Sequence, residues 1–321
     1  MKKYLITGFS GFVGKHFLDY LENVVPGASV LGVDLQAPQF DLSKFPSIKC
    51  DFKKLNLLNK DDLSAALCQF NPDYILHLAS FSSVAFSWQN PVDSFKNNTN
   101  IFLNLIESVR ELKLKSRILS IGSSEEYGDF DEKDLPLKET YELKPSSPYA
   151  VARVSQELLS KIYVSGFNLD IMMTRSFNHM GSGQRDTFVI PSFARQLVQF
   201  KAQGLKKAIL HTGNVDVVRD FTDVRDVVRA YFELFEKGKP GEIYNICSGK
   251  GISLREIIEK FAQMLGLEIS IEIDKKLLRP NDYKIIIGSN DKINKEIGWQ
   301  PSILFEQTLK DVLKYWDNLC L

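Results

Sequence analysis

Two residue strings carry side chains suited to proton and hydride chemistry. Ser147-Pro148-Tyr149-Ala150-Val151-Ala152-Arg153 sets a phenol and a guanidinium four residues apart, on one face of a helix. A free tyrosine has a pKa near about 10, too high to exchange protons readily at neutral pH. A fixed cation beside it would stabilise the phenolate and lower that value. Ser123-Ser124-Glu125-Glu126-Tyr127-Gly128 offers a second hydroxyl, Ser123, at the end of an apolar run. Hydride transfer at a carbonyl carbon needs an acid for the developing alkoxide, and a serine hydroxyl can share the same oxygen.

Gly8-Phe9-Ser10-Gly11-Phe12-Val13-Gly14 follows the first apolar run. Its spacing is Gly-x-x-Gly-x-x-Gly, not Gly-x-Gly-x-x-Gly. Glycines permit a tight turn and let backbone N–H groups approach a pyrophosphate at a helix N-terminus. A glycine-rich turn alone is weak evidence; its place between a strand and the helix-like stretch 13–21 strengthens it. Asp34 ends the second apolar run, twenty positions after Gly14. A carboxylate there can accept from both adenosine ribose hydroxyls and would repel a 2′-phosphate, so NAD(H) is expected, with NADP(H) as the alternative. A helix cap or turn is the other reading of Asp34. Asn56-Leu57 stands where an adenine edge could be read.

These residues need a frame that brings strand ends together. Runs 4–7, 30–33, 74–78 and 118–121 read as buried parallel strands. Amphipathic stretches Lys60–Phe70 and 94–112 lie between them, the latter carrying Phe95, Phe102, Leu105, Ile106 and Val109 at helical spacing. Alternating βαβ units imply an α/β fold, a Rossmann-type doubly wound parallel sheet. Further strands are expected at 171–174 and Ile243–Ile246, then helices at Leu254–Leu265 and near the C-terminus. A smaller C-terminal α/β lobe would lean on the sheet's carboxyl edge, where ligands bind in such sheets. The expected division is 1–175, with a return of about 212–246, against a substrate lobe of 176–211 and 247–321. No internal repeat is visible.

The three motifs together resemble the extended short-chain dehydrogenase/reductase family of nucleotide-sugar epimerases, dehydratases and reductases. Its signature is Gly-x-x-Gly-x-x-Gly, a Ser or Thr near the fourth strand, and Tyr-x-x-x-Lys, and nearly the whole chain fits. Arg153 departs from it. Arginine stays charged, but its planar fork would hold a nicotinamide ribose differently from an ammonium. The resemblance implies cofactor contacts at Gly8, Ser10, Gly11, Phe12, Val13, Gly14, Asp34, Leu35, Asn56, Leu57, Leu78, Ala79, Ser80, Tyr149, Arg153 and Phe177.

A second series runs Arg175-Ser176-Phe177-Asn178-His179-Met180-Gly181, Phe188-Val189-Ile190-Pro191, Arg219-Asp220-Phe221-Thr222-Asp223 and Arg279-Pro280. With Gly122-Ser123-Ser124-Glu125-Glu126-Tyr127-Gly128 it resembles the branch of that family reducing GDP-4-keto-6-deoxy-D-mannose, and next the GDP-mannose 4,6-dehydratases. Asn178 can donate to a phosphate oxygen, and arginines offer a bidentate fork. The resemblance places Asn178, Arg219 and Arg279 around a substrate diphosphate and Val189 against the nucleobase or its ribose. Ser123 and Glu125 would touch the sugar. Glu125 matches the dehydratase acid–base position at sugar C5 and C6; a structural or hydroxyl contact is the other reading.

The expected reaction is nicotinamide-dependent reduction of a GDP-linked 4-keto-6-deoxy sugar. A 4,6-dehydratase, a 4-epimerase and a non-catalytic nucleotide-binding or redox-sensing module are the rivals. In family members the helices spanning 94–112 and opening at Tyr149 form a four-helix interface, so a homodimer is expected, with Val151, Val154, Leu158 and Ile162 on the second helix. His77 and His179 read as structural; His16 and His211 carry no case.

Lys+Arg and Asp+Glu number 40 each, so no global positive field exists to hold nucleic acid or an anionic membrane. No stretch approaches a membrane span or a signal peptide's apolar core. Cys50, Cys68, Cys247 and Cys320 form no Cys-x-x-Cys pair, so free thiols in a reducing cytoplasm and no bound metal are expected.

Overall fold

A computed structural model describes residues 1–278 and 283–320. The central sheet uses β1 (Lys3–Thr7), β2 (Ser29–Asp34), β3 (Lys49–Lys54), β4 (Tyr74–His77), β5 (Arg117–Ser123) and β6 (Ile171–Ser176). After β7 (Asn178–Met180), β8 (Lys207–Thr212) and β9 (Val218–Asp223), the chain returns to the sheet as β10 (Ile243–Ile246). The sheet has seven strands in the order β10-β6-β5-β4-β1-β2-β3, and every pairing is parallel. Strand order reverses beside β1, which opens a crevice at the carboxyl ends of β1 and β4.

Helices cover both faces, as apolar runs buried on two sides require. On one face α1 (Phe12–Val24), α7 (Val224–Lys237) and α9 (Asp291–Ile297) pack Phe17, Leu21, Val228, Tyr231 and Ile293 against Tyr4, Val30 and Leu119. On the other, α2 (Lys60–Phe70), α4 (Pro91–Glu111) and α5 (Pro148–Phe167) pack Leu63, Phe102, Leu105 and Tyr163 against Leu5, Ile75 and Ile118. A short α3 (Val84–Gln89) precedes α4. In α4, Phe102, Leu105, Ile106 and Val109 are buried in this chain's own core, and Phe95 alone of the expected stripe is exposed.

The lobe holds α6 (Val189–Ala202), α8 (Leu254–Leu265) and α10 (Phe305–Cys320). They enclose a core of Phe193, Leu197, Leu210, Ile257, Phe261, Leu309 and Val312. Its strands are β11 (Gly251–Ser253), β12 (Glu268–Ile273) and β13 (Ile285–Ile286), with β7, β8 and β9. β9 pairs with β7, β11 and β13, and β8 pairs with β12 in parallel.

All six of these lobe strands escaped the sequence reading: β7, β11 and β13 are short, β8 and β12 mostly exposed, and the buried β9 carries charged residues that mask it. β3 escaped it too. Its segment Lys-Cys-Asp-Phe-Lys-Lys is an edge strand, and only Cys50 and Phe52 are half-buried. Charges on an edge blunt unwanted pairing and hide the strand's apolar signal. Among the described residues no helix is long and apolar enough to cross a membrane. All four cysteines are free.

Candidate active site

β1 ends at Thr7 and the chain turns through Gly8, where φ is +67°. A Cβ there would lie 2.7 Å from the backbone nitrogen of Ala79, so β1 and the strand end at Leu78-Ala79 can meet only across a glycine. A Cβ on Gly14 would fall 2.3 Å from the Phe9 carbonyl oxygen, so the helix too needs glycine to seat on the turn. Gly11 caps α1 without a side-chain hydrogen bond, and the first turn carries no acid. The first-turn N–H groups of Phe12 and Val13 therefore suit an anion.

Asp34 stands at the end of β2, where its carboxylate accepts from Ser10 N at 3.0 Å and Leu35 N at 2.7 Å. Those two bonds fix it beside the glycine turn and leave further lone pairs on both oxygens. Asn56 is exposed and closes its own turn by accepting from Leu58 N at 3.0 Å. Leu57 points into the core, and its carbonyl accepts from Asn104.

α5 starts where Ser147 accepts from Ala150 N and Pro148 occupies the first turn. One turn in, Tyr149 and Arg153 are 7% and 5% exposed, and Arg153 Nε donates to the Tyr149 hydroxyl at 3.2 Å. The rest of the guanidinium is held by three more acceptors. Nη1 donates to Ile121 O at 2.9 Å and Gln156 Oε1 at 2.8 Å, and Nη2 to Ser80 Oγ at 2.6 Å. Ile121 lies two residues before Ser123 on β5, so the phenol, the cation and the serine share one strand end. Ser123 is buried, and its hydroxyl accepts from Glu125 N at 3.2 Å.

Beneath this turn lies a buried acid. Glu126 is fully buried and accepts from Ser123 N at 2.6 Å. Burial, with the Glu157 charge beside it, pushes its carboxyl up to about 8. Glu157 itself is held below the usual carboxylate range. Burial opposes this, but a two-point ion pair with Arg175 at 2.9 and 3.0 Å outweighs it. His77 sits in the core with Nδ1 at 2.9 Å from Thr7 Oγ1, and burial, aided by the Arg153 charge, holds its imidazole down at about 3.

On the lobe side, Asn178 opens β7 and is exposed, while Val189 is half-exposed at the head of α6. Arg219 is buried on β9, and its Nη1 donates to Val218 O at 3.0 Å and Tyr283 O at 2.7 Å. Phe177 is buried with Tyr127, Cys247 and Tyr283. Phe12 stacks on His179 with ring centroids 6.2 Å apart, and His16 meets Ser182 O at 2.9 Å. Burial pushes the Tyr283 phenol up to about 12, helped by the Glu125 and Asp129 charges and opposed by Arg219. Glu125, half-exposed, thus shares the neighbourhood of Arg219 and Tyr283. Arg279 lies outside the described residues.

Residues 5–312 match the family model described as GDP-mannose 4,6 dehydratase. The chain belongs to this family. It is 32% identical over 317 residues to GDP-6-deoxy-D-mannose reductase from Pseudomonas aeruginosa, covering 99% of this chain and 98% of that one. A GDP-mannose 4,6-dehydratase from Yersinia enterocolitica is 27% identical over 353 residues, covering 98% and 93%. Among solved structures, that of RMD from Pseudomonas aeruginosa complexed with NADPH superposes with a TM-score of 0.86 at 33% identity, covering 99% of this chain and all of that one.

Within this family frame, the sequence reading missed Gln156, Glu126 and Tyr283. Gln156 had a signal: three residues after Arg153, it lies on the same helix face. Tyr283 follows Arg279-Pro280 closely in sequence, but its burial depends on the lobe. Glu126 had a signal too: Ser123-x-x-Glu126 is the spacing of a capping box, which the structure forms, although its burial shows only in the fold.

Proposed function

We propose that the chain reduces a GDP-linked 4-keto-6-deoxy sugar, most simply GDP-4-keto-6-deoxy-D-mannose to GDP-D-rhamnose. The observation that carries this is the buried Tyr149–Arg153 pair at the end of β5, two residues from Ser123 in strand position. The reductase from Pseudomonas aeruginosa, similar over almost the whole chain, supports the substrate class.

The glycine turn, the uncapped start of α1 and the Asp34 carboxylate fit a dinucleotide. Residues 8–14 would hold its pyrophosphate and Asp34 its adenosine ribose. When bound, a reduced nicotinamide supplies a hydride to the carbonyl carbon. The chain's own residues then manage the oxygen. The Tyr149 hydroxyl gives its proton to the carbonyl oxygen as the C–H bond forms, so ketone, hydride and proton become alcohol. Ser123 donates a hydrogen bond to the same oxygen, and Arg153 stabilises the phenolate left behind. Asn178 and Arg219, with Arg279, would grip the diphosphate, and Val189 the nucleoside.

Asp34 favours NADH over NADPH on charge grounds. Removing it, as Asp34→Ala, is expected to raise the KM for NADH roughly tenfold and leave that for NADPH unchanged or lower. Equal KM values for both cofactors in the unaltered protein would remove the charge argument.

A 4,6-dehydratase is the second reading, favoured by Glu125 at the required position. Stoichiometry separates the two: the reductase consumes one reduced cofactor per product, and the dehydratase none. NADH oxidation against GDP-, UDP-, dTDP- and CDP-linked 4-keto sugars, with GDP-mannose supplied in parallel, tests the proposal. Turnover of GDP-mannose without net cofactor consumption, and of none of the 4-keto sugars, would overturn it.

The homodimer reading is supported by exposed apolar side chains on α4 and α5: Val92 at 75%, Leu158 at 51% and Ile162 at 57%. Sedimentation at micromolar concentration should show twice the chain mass. The chain has no membrane-spanning helix among its described residues, and with free thiols a cytoplasmic site fits it.

A further inference from the structure

We infer that Ser80 and Gln156 are positioning residues that make a guanidinium, and not an ammonium, the working cation beside Tyr149. The inference rests on the acid role given to Tyr149 above, and its test separates the two.

A guanidinium has five N–H bonds in a rigid plane. Four are committed. Both on Nη1 go to Ile121 O and Gln156 Oε1, one on Nη2 goes to Ser80 Oγ, and the Nε–H goes to the Tyr149 hydroxyl. One N–H of Nη2 remains for a ribose hydroxyl. The three anchors come from separate elements: the loop after β4, β5 itself, and α5. Together they stop the fork from rotating, which aims Nε at the phenol.

Gln156 is locked in its turn. It is 1% exposed, and its Nε2 donates to Ser120 Oγ at 2.8 Å and Ile121 O at 3.2 Å. Ser160 Oγ lies 3.4 Å from the same Ser120 hydroxyl. The amide oxygen of Gln156 can therefore point only at residue 153. It is a buried acceptor waiting for a second donor on that side chain.

A lysine at 153 has three N–H bonds on a single atom. It cannot serve four acceptors spread along a planar fork. If it reached the Tyr149 oxygen, Gln156 Oε1 would stay buried without a donor, which costs more than a lost surface hydrogen bond. Arginine and Gln156 thus work as a matched pair.

The test is a double-mutant cycle on Arg153→Lys and Gln156→Met, the methionine keeping the glutamine's shape without its acceptor. Melting of the protein without substrate or cofactor gives the first reading. Methionine also removes the Nε2 bonds to Ser120 and Ile121, a loss common to both Gln156 variants that cancels in the cycle, so the double variant should melt higher than the sum of the two single losses predicts. Simple addition of the two effects would overturn the inference. The pH profile of kcat gives the second. In Gln156→Met, kcat should fall about tenfold with the sugar KM within about twofold. The basic limb of the profile should move to higher pH, since a cation that swings away stabilises a neighbouring anion less. Ser80→Ala, at a half-buried position, should move the limb the same way and gives this reading even if Gln156→Met fails to fold. Coupled melting with an unmoved limb in both variants would support the matched pair and overturn the acid role of Tyr149. Full activity of Arg153→Lys with an unchanged profile would overturn the inference.

Discussion

At the end of β5, Arg153 and Gln156 are almost wholly buried and direct their hydrogen bonds to β5, Ser80 and Tyr149. On the lobe side, Asn178 stands exposed at the head of β7, and Val189 is half-exposed at the head of α6. The first wall is determined several times over by packing and paired polar groups. The second presents Asn178 and Val189 to solvent, with only Arg219 buried and held by backbone carbonyls. The difference follows from the chemistry each must do. A proton donor must be held within fractions of an ångström before the substrate arrives. A specificity rim only has to complement a group that brings its own charge.

Losses on the first wall should therefore appear in kcat and those on the second in KM. The largest effect belongs to Tyr149→Phe. Removing the hydroxyl proposed as the proton donor should lower kcat roughly a hundred- to ten-thousand-fold. The ring keeps its packing, and the cost to the fold is confined to the one Arg153 Nε–H left without its acceptor. Stopped-flow NADH oxidation checks this, and a rate equal to that of the unaltered protein would dissolve the distinction between the walls.

The same contrast governs what could be read from sequence. Gly8, Gly11, Gly14, Asp34, Ser123, Tyr149 and Arg153 stand at fixed intervals within single strand–turn–helix units, so local spacing placed them near one crevice. The helices Lys60–Phe70 and Leu254–Leu265 were legible for the same reason: each carries an apolar stripe and an Asn or Ser cap. The lobe was less legible. Arg219 and Tyr283 meet where the Arg219 guanidinium donates to the Tyr283 carbonyl, across 64 positions. Short strands such as Ile285–Ile286 have no periodicity to announce them. Glu126 and Gln156 each have a local partner three residues away, Ser123 and Arg153, but the Ser120 and Ile121 contacts that lock Gln156 come from β5, 36 and 35 positions away.

An intermediate effect tests the rim. Asn178→Ala removes a donor that faces solvent, so the fold should not notice. If the amide meets a phosphate oxygen equally in ground and transition states, the sugar-nucleotide KM should rise roughly tenfold with kcat nearly unchanged. A fall in kcat with constant KM would move Asn178 from the binding rim to the reacting centre.

The smallest effect probes how strictly the first wall excludes water, and it is read in stability. The Glu126 carboxyl is raised to about 8, by burial first and the Glu157 charge second, from an ordinary value of 4.5. A carboxyl raised in the folded state binds its proton more tightly there than in the unfolded chain. Its contribution is fully present below the unfolded value and is lost as pH rises through about 8, because the native state must then ionise a buried acid or expose it. Glu126→Gln keeps an acceptor for Ser123 N and has no proton to lose. Its melting temperature should fall by a few degrees less than that of the unaltered protein between about pH 6 and about pH 9. Parallel melting curves across that range would mean that water or a cation reaches the carboxylate, and the floor under Ser123 would then be as open as the rim.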